Sequence, residues 1–183
     1  MDRTLVAAAR SGDEEAFGIL ARGSADRLFA VAHRILHDVE RAEDAVQQTL
    51  VTAWRELPGL REVDRWDAWL HRLLVHACYA ESRRARQWSA HVRELPPDGP
   101  AGPDDTQDVV VRDALERGFQ RLPPEQRAVL VLHHYLGWSL AEIASTLGLP
   151  LGTVKSRVRS ATSGLRAALE ADARPLTPAR RPA

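Results

Sequence analysis

Apolar positions recur every three or four residues along most of this chain, and no segment reads as a β-strand. That period predicts helices. Thr4 to Arg10 is a short apolar run, and Ser11-Gly-Asp-Glu14 offers a cap for the helix that follows. Ala16, Phe17, Ile19 and Leu20 begin its buried face. After Gly23, the run Ala25 to Leu36 continues that face through Leu28, Phe29, Val31, Ala32, Ile35 and Leu36. Asp38 opens a further helix, DVERAEDAVQQTLVTAWREL, which Pro58-Gly59 ends. Its core stripe is Ala42, Ala45, Val46, Thr49, Leu50, Ala53, Trp54 and Leu57. Its other face carries Glu40, Arg41, Glu43, Asp44, Gln47, Gln48, Arg55 and Glu56. Trp66 to Arg86 then buries Trp66, Trp69, Leu70, Leu73, Leu74 and Ala77. It ends in Arg83, Arg84 and Arg86, with Tyr79 and Trp88 nearby.

The pattern stops between Leu95 and Val111. Pro, Gly and Asp dominate there and no basic residue occurs, so the segment reads as an extended acidic linker. It divides the chain into a first helical module over 1–91, a linker over 92–111 and a second helical module over 112–170. A Pro-rich tail over 171–183 is expected to be disordered. The expected class is all-α, two small helical domains on a flexible tether.

The second module holds the most informative stretch, Leu122 to Leu169. Val129, Leu130, Leu132 and Leu136 recur helically over Arg127 to Leu136, and Gly137 breaks the run. Ser139-Leu-Ala-Glu142 is a capping-box pattern, Gly148 suits a left-handed helix end, and Pro150 suits the first turn of a third helix. On that third helix Leu151, Val154, Val158, Ala161 and Leu165 share one face, and Gly152, Ser156, Arg159 and Ser163 lie roughly opposite. Thr153, Lys155, Ser160 and Arg166 flank them. No Asp or Glu occurs between Glu142 and Glu170, although Lys155, Arg157, Arg159 and Arg166 do. A merely solvated face usually mixes both signs of charge. Small polar residues at the start let the backbone approach a groove, and Arg and Lys can pair with phosphates or guanine edges. The layout is that of a helix-turn-helix with its recognition helix in the major groove.

Composition changes little. The chain has 183 residues, and Lys+Arg 25 balances Asp+Glu 25, so net charge identifies no partner. Lys155 is the only lysine, a bias expected of a GC-rich coding sequence. The lone Cys78 excludes an internal disulfide and a Cys-based zinc site. No apolar run resembles a signal peptide or approaches the ~18 residues of a membrane span, so a cytoplasmic location without membrane insertion is expected. His33 and His37 stand at i, i+4, a spacing that could hold a metal, but no third ligand accompanies them; His76 and Cys78 lack an orienting third group. Neither a Gly-rich phosphate loop nor a nucleophile elbow occurs. The expectation is no catalytic residue, no metal, no cofactor and no enzymatic activity. A metal-dependent enzyme using His33 and His37 is the contrary reading. Cations interleaved with aromatics near Tyr79 and Trp88 fit single-stranded nucleic acid, or else a solvated helix C-terminus.

With both modules read, the chain resembles sigma-70 family factors of the extracytoplasmic-function (ECF) group, over about residues 3–91 and 112–170. AEDAVQQTLVTAWREL is similar to region 2.2 of that family, usually written close to AEDLVQETFLRAWR. RWDAWLHRLLVHACYAESRRAR is similar to regions 2.3 and 2.4, and the stretch from LPPEQRAVL through GTVKSRVRS to LRAAL is similar to region 4. The resemblance implies a factor that binds core RNA polymerase and directs it to promoters, with catalysis left to the polymerase. It implies docking on the β′ clamp through Asp44, Gln47, Gln48 and Arg55, with the β flap as a further polymerase contact. It implies −10 element melting and reading by His76, Tyr79, Arg83 and Arg84, with Trp66 and Trp69 shaping the platform. It implies −35 element reading by Thr153, Lys155, Ser156, Arg159 and Ser160, with Ser139 and Arg127 on the phosphate side. An anti-sigma factor is the family's usual inhibitor and a candidate partner, although no residue here identifies one. The chain departs from the family at His76, where many members have Asn, at Ala80, where many have Asp, and at Gln48, commonly Glu. The first two leave the preferred −10 bases open. The competing reading is a helix-turn-helix regulator that binds an operator without acting as a sigma subunit; the AED-VQ helix argues against it.

Overall fold

The computed structural model describes residues 2–91 and 107–172. Among the described residues there is no strand. The first module consists of α1 (Arg3–Arg10), α2 (Glu14–Leu36), α3 (Val39–Glu56) and α4 (Trp66–His91), with short 3-10 turns at Leu57–Gly59 and Val63–Arg65. The second consists of α5 (Gln107–Gln120), α6 (Pro124–Leu130), a π-turn (Val131–Tyr135), α7 (Leu140–Leu147) and α8 (Leu151–Asp172).

Local chemistry sets most boundaries. Asp2, Asp13 and Asp38 each accept from a backbone N–H of the following first turn, at 2.8, 3.0 and 2.9 Å, satisfying donors that have no partner inside the helix. The helix read in two runs around Gly23 is one continuous α2, because nothing there offers the chain an alternative to the helical ladder. His37 ends it in a left-handed conformation at φ 55°, an uncommon choice for a residue with a side chain. The capping box forms as expected: Glu142 N–H donates to Ser139 Oγ at 3.2 Å, and Ser139 N–H donates to Glu142 at 2.7 Å. Gly148 takes φ 65° at the end of α7. Three details differ from the pattern. The box offered by Ser11 and Glu14 does not form: Asp13 caps α2, and Ser11 ends α1 with its hydroxyl donating back to the Ala7 carbonyl at 3.1 Å. The helix expected over Arg127 to Leu136 changes to π geometry at Val131. Helix α5 begins at Gln107, inside the segment read as linker; residues 92–106, and the tail after Asp172, lie outside the described residues.

Leu28, Ile35, Leu57, Trp66, Leu70 and Leu74 fill the first module with at most 1% exposure. Val129, Leu132, Ile143 and Val154 fill the second, each completely buried. These belong to one contiguous apolar cluster, because α6 packs on both α2 and α4, the π-turn on α2, and α7 on α4. The tether therefore joins modules that are docked face to face in this structure. Three expected core residues sit outward instead: Ile19 is 42% exposed, Trp54 is 37% exposed, leaning on Phe17 with ring centroids 5.0 Å apart, and Leu151 is 41% exposed.

Because the core is shared, a cavity on one side of the seam should be felt on both. Leu132→Ala is expected to cost about 2–5 kcal/mol and to lower the urea midpoint of the whole chain. Separate transitions in which the first module keeps its wild-type midpoint would show that the modules do not share stability.

Candidate nucleic-acid and polymerase interface

Helix α8 is anchored by Val154 and Ala161, both fully buried, and by the half-buried Val158 and Leu165. That leaves Lys155, Ser156, Arg159 and Ser160 exposed on the opposite side, with Thr153 half-buried at the edge. Ser156 Oγ donates to the Thr153 carbonyl at 2.9 Å, a local bond that a DNA phosphate can replace. The expected −35 residues on α8 therefore do share one accessible, acid-free face. Ser139 is exposed at the start of α7, but its hydroxyl is already the cap acceptor. Arg127 is not on this face. It lies half-buried at the seam, with Nε buried and unpartnered, and burial lowers its pKa from the usual arginine value.

Helix α4 carries the second candidate surface. His76, Arg83 and Arg84 are exposed, and Tyr79 stands edge-on to His76 with centroids 6.4 Å apart. Arg84 is tied to the buried carboxylate of Glu81 at 2.6 Å, which orients its guanidinium. Trp66 is 1% exposed and can act only as support: it packs on Trp69 at 5.6 Å, and Trp69 is the partly accessible ring of the two. Tyr79 is not open either. Burial pushes its phenol up to about 12, against the opposing influence of the Arg157 guanidinium on α8. Neither Tyr79 Oη nor Arg157 Nη1 has a hydrogen bond of good geometry, so the two face each other loosely across the seam. A ring expected to stack on a base is thus covered by the module expected to read duplex DNA.

On α3, Asp44, Gln47, Gln48 and Arg55 are all exposed. Gln48 Nε2 donates to Thr52 Oγ1 at 3.1 Å. Asp44, Gln47 and Gln48 line a cleft of about 340 Å³ together with Val51, Glu81 and Arg84, so the α3 face and the basic end of α4 adjoin. A larger cleft, about 650 Å³, is lined by Gln48, Arg72, His76 and Arg84 on the first module and by Leu147 and Gly148 on the second. Arg72 was missed by the sequence reading, although its place four residues before His76 puts both on one helical face. Arg157 was missed because its role is visible only across the seam.

His33 stacks on Phe29 at 5.9 Å, and His37 tilts against Phe119 at 5.4 Å. Among the described residues no three His, Cys, Asp or Glu side chains gather as a metal shell, and no helix is long and apolar enough to cross a membrane.

With this geometry in place, comparison with known proteins identifies the class. Residues 20–88 match the family model for sigma-70 region 2, and residues 112–161 match that for sigma-70 region 4. The chain is 37% identical over 172 residues to the ECF RNA polymerase sigma factor SigM of Mycobacterium tuberculosis, covering 90% of this chain and 82% of that one. It is 27% identical over 181 residues to the RNA polymerase sigma-H factor of Pseudomonas aeruginosa, covering 92% and 94%. Among solved structures, CnrH in complex with the cytosolic domain of CnrY matches with TM-score 0.64 and 30% identity over 94% of this chain and 99% of that one. The sigma factor RpoE of Bartonella quintana, crystallised with the anti-sigma factor NepR, matches with TM-score 0.61 and 26% identity, covering 85% and 98%. The chain belongs to the sigma-70 family of RNA polymerase sigma factors, in its ECF group.

Cys78 sits within this seam, fully buried, and burial pushes its thiol up to about 12. Near neutral pH almost none of it is thiolate, the reactive form. The native chain should therefore react with a thiol reagent at least about a hundredfold more slowly than the urea-unfolded chain. Comparable rates would mean that the seam is open in solution.

Proposed function

We propose that the modules divide the work of a sigma factor as the exposed faces suggest. Asp44, Gln47, Gln48 and Arg55 on α3 dock on the β′ clamp of core RNA polymerase. His76, Tyr79, Arg83 and Arg84 on α4, supported by Trp66 and Trp69, hold the melted −10 element. Thr153, Lys155, Ser156, Arg159 and Ser160 on α8 read the −35 element as duplex. Arg72 joins the α4 group. The observation that carries this reading is the presence, in one chain, of an acid-free polar face on α8 and an aromatic-basic face on α4 beside an exposed polar α3. The first face has the side chains that pair with base edges and phosphates. The second has those that stack on single-stranded bases.

On this reading the chain holds no catalytic residue, cofactor or metal. It works in the cytoplasm, where the polymerase supplies the chemistry. An anti-sigma factor is a fitting partner, since both solved relatives above are in complex with a second protein and RpoE's partner is named as one.

The deciding experiment is run-off transcription with core polymerase on pooled genomic promoter fragments, with and without the chain. Transcripts dependent on the chain support the reading, and their upstream sequences reveal both elements. No transcripts and no co-elution with core enzyme would reduce it to an operator-binding regulator. Within that assay, Arg159→Ala is expected to cost about 1–3 kcal/mol of discrimination at one −35 base pair, read as relaxed preference among −35 variants. Wild-type initiation and preference would remove Arg159 from the reader. Asp44→Arg should abolish co-elution with core enzyme and leave the helical content unchanged. Unaltered co-elution would move docking away from α3.

A further inference from the structure

Two histidines of the first module are wedged into the seam, one at each side. His71, on α4, is 2% exposed; its ring lies 5.4 Å from that of Trp138, just before α7. Its Nδ1 is 2.7 Å from the Asp67 carbonyl, which can only accept, so Nδ1 carries the proton and Nε2 is left as a buried acceptor without a donor. His37, at the end of α2, lies 5.4 Å from the Phe119 ring of α5, and its Nε2 is likewise buried and unpartnered. In both cases a neutral ring fills an apolar contact between modules. A second proton would place a cation there with an N–H that has no acceptor.

The surrounding charges do not cancel that cost. Around His71 are Asp67 on its own helix, which favours the cation, and Arg27 of α2, ion-paired to Asp67, which opposes it. From the second module, His133 holds the Trp138 carbonyl at 2.6 Å, and Glu142 lines the same cleft as Trp138 and Asp67. Around His37 are Glu116 of α5 at 3.9 Å, which favours the cation, and Arg127 of α6 and His33 of α2, which oppose it. Arg34 and His134 line the same cavity, and Arg34 is already stacked 3.9 Å over Tyr135. Burial is the largest influence at both rings and lowers both pKa values from the usual histidine range. A histidine depressed in the closed form stabilises that form fully above its open-state pKa, near 6.5, and progressively less as pH falls below it.

We propose that the seam is a histidine-gated latch: His37 and His71, neutral and wedged against Phe119 and Trp138, hold the modules together, and their protonation releases the second module from α4. Release would bare Tyr79 and free Arg157. That consequence for promoter reading rests on the function proposed above; the opening itself does not.

Small-angle scattering of the full-length chain at about pH 8 and about pH 5.5, with far-ultraviolet circular dichroism of the same samples, tests the latch. The expected result is a compact chain at the higher pH and a larger radius of gyration at the lower, with the helical signal unchanged. Below the open-state value, each histidine raises the open population by up to about tenfold per pH unit. The double variant His37→Phe/His71→Phe keeps both rings without titrating, and should stay compact at both pH values. If it loses helix at the higher pH, the single variants decide, each expected to open up to about tenfold less than the wild type at the lower pH. The proposal is overturned by a wild-type chain of equal size at both pH values, by variants that expand as the wild type does, or by expansion that tracks loss of helix. None of these outcomes bears on whether core polymerase needs the chain, which run-off transcription reads separately.

Discussion

Helix α4 has to bury two faces. Leu70, Leu74 and Ala77 turn one side into the first module, beside α2 and α3. His71, Val75 and Cys78, spaced at four and three residues, turn an adjacent stripe toward α6 and α7. Burying one large apolar side chain is worth about 1.5–3 kcal/mol, so neither stripe can be left in water without loss. The second module packs on α4 through α6 and α7 and supplies Trp138 against His71. Yet the seam also traps Arg127 Nε and the two histidine Nε2 atoms without hydrogen-bond partners, and pairs Tyr79 with Arg157 only loosely. Each such buried group costs about 1–3 kcal/mol. Apolar gain and polar cost oppose one another across the same surface. Such a contact can close a free chain and still yield to a partner or a proton.

The helices were legible because their signals are local. Apolar spacing, the Asp38 cap, the Ser139–Glu142 box and Gly148 act within a few residues, and each appears where the pattern placed it. The π-turn at Val131 had no local signal, since Leu132 must reach the core and His133 must reach the Trp138 carbonyl in the same turn. Trp54 and Leu151 fit a core stripe by period, but the number of neighbours available to cover them is a tertiary property. The seam had one sequence signal that went unread. Apolar or buried positions run almost all round α4 between Leu70 and Cys78, and a helix apolar all round is covered on more than one side.

The same distinction separates the site residues. Lys155, Ser156, Arg159 and Ser160 were legible because the buried face of α8 is set by its own period, which leaves the opposite face free. Asp44, Gln47 and Gln48 follow in the same way from the stripe of α3. Tyr79 and Arg127 are residue types that suit nucleic acid, and their spacing put them near the right helices. What covers them comes from the other module, about 80 residues away for the Tyr79–Arg157 pair, and no helical period reports such a contact.

That asymmetry orders the events of initiation on the proposed assignments. In the closed chain the polar face of α3 is open to a partner, whereas Tyr79 is not. Polymerase can therefore engage the factor before the α4 reader is fully presented. Engagement that favours separated modules would lower the free energy of the open form by its differential affinity, and by no more than that. Each separated module carries only a handful of DNA contacts and would bind weakly alone. Held by one tether on one polymerase, each raises the effective concentration of the other at neighbouring promoter elements. The free chain, with one reader capping the other, has no such advantage. The acid-free face of α8 is open even in the closed chain and attractive to any DNA backbone, but without the enzyme it acts alone, unaided by the reader on α4.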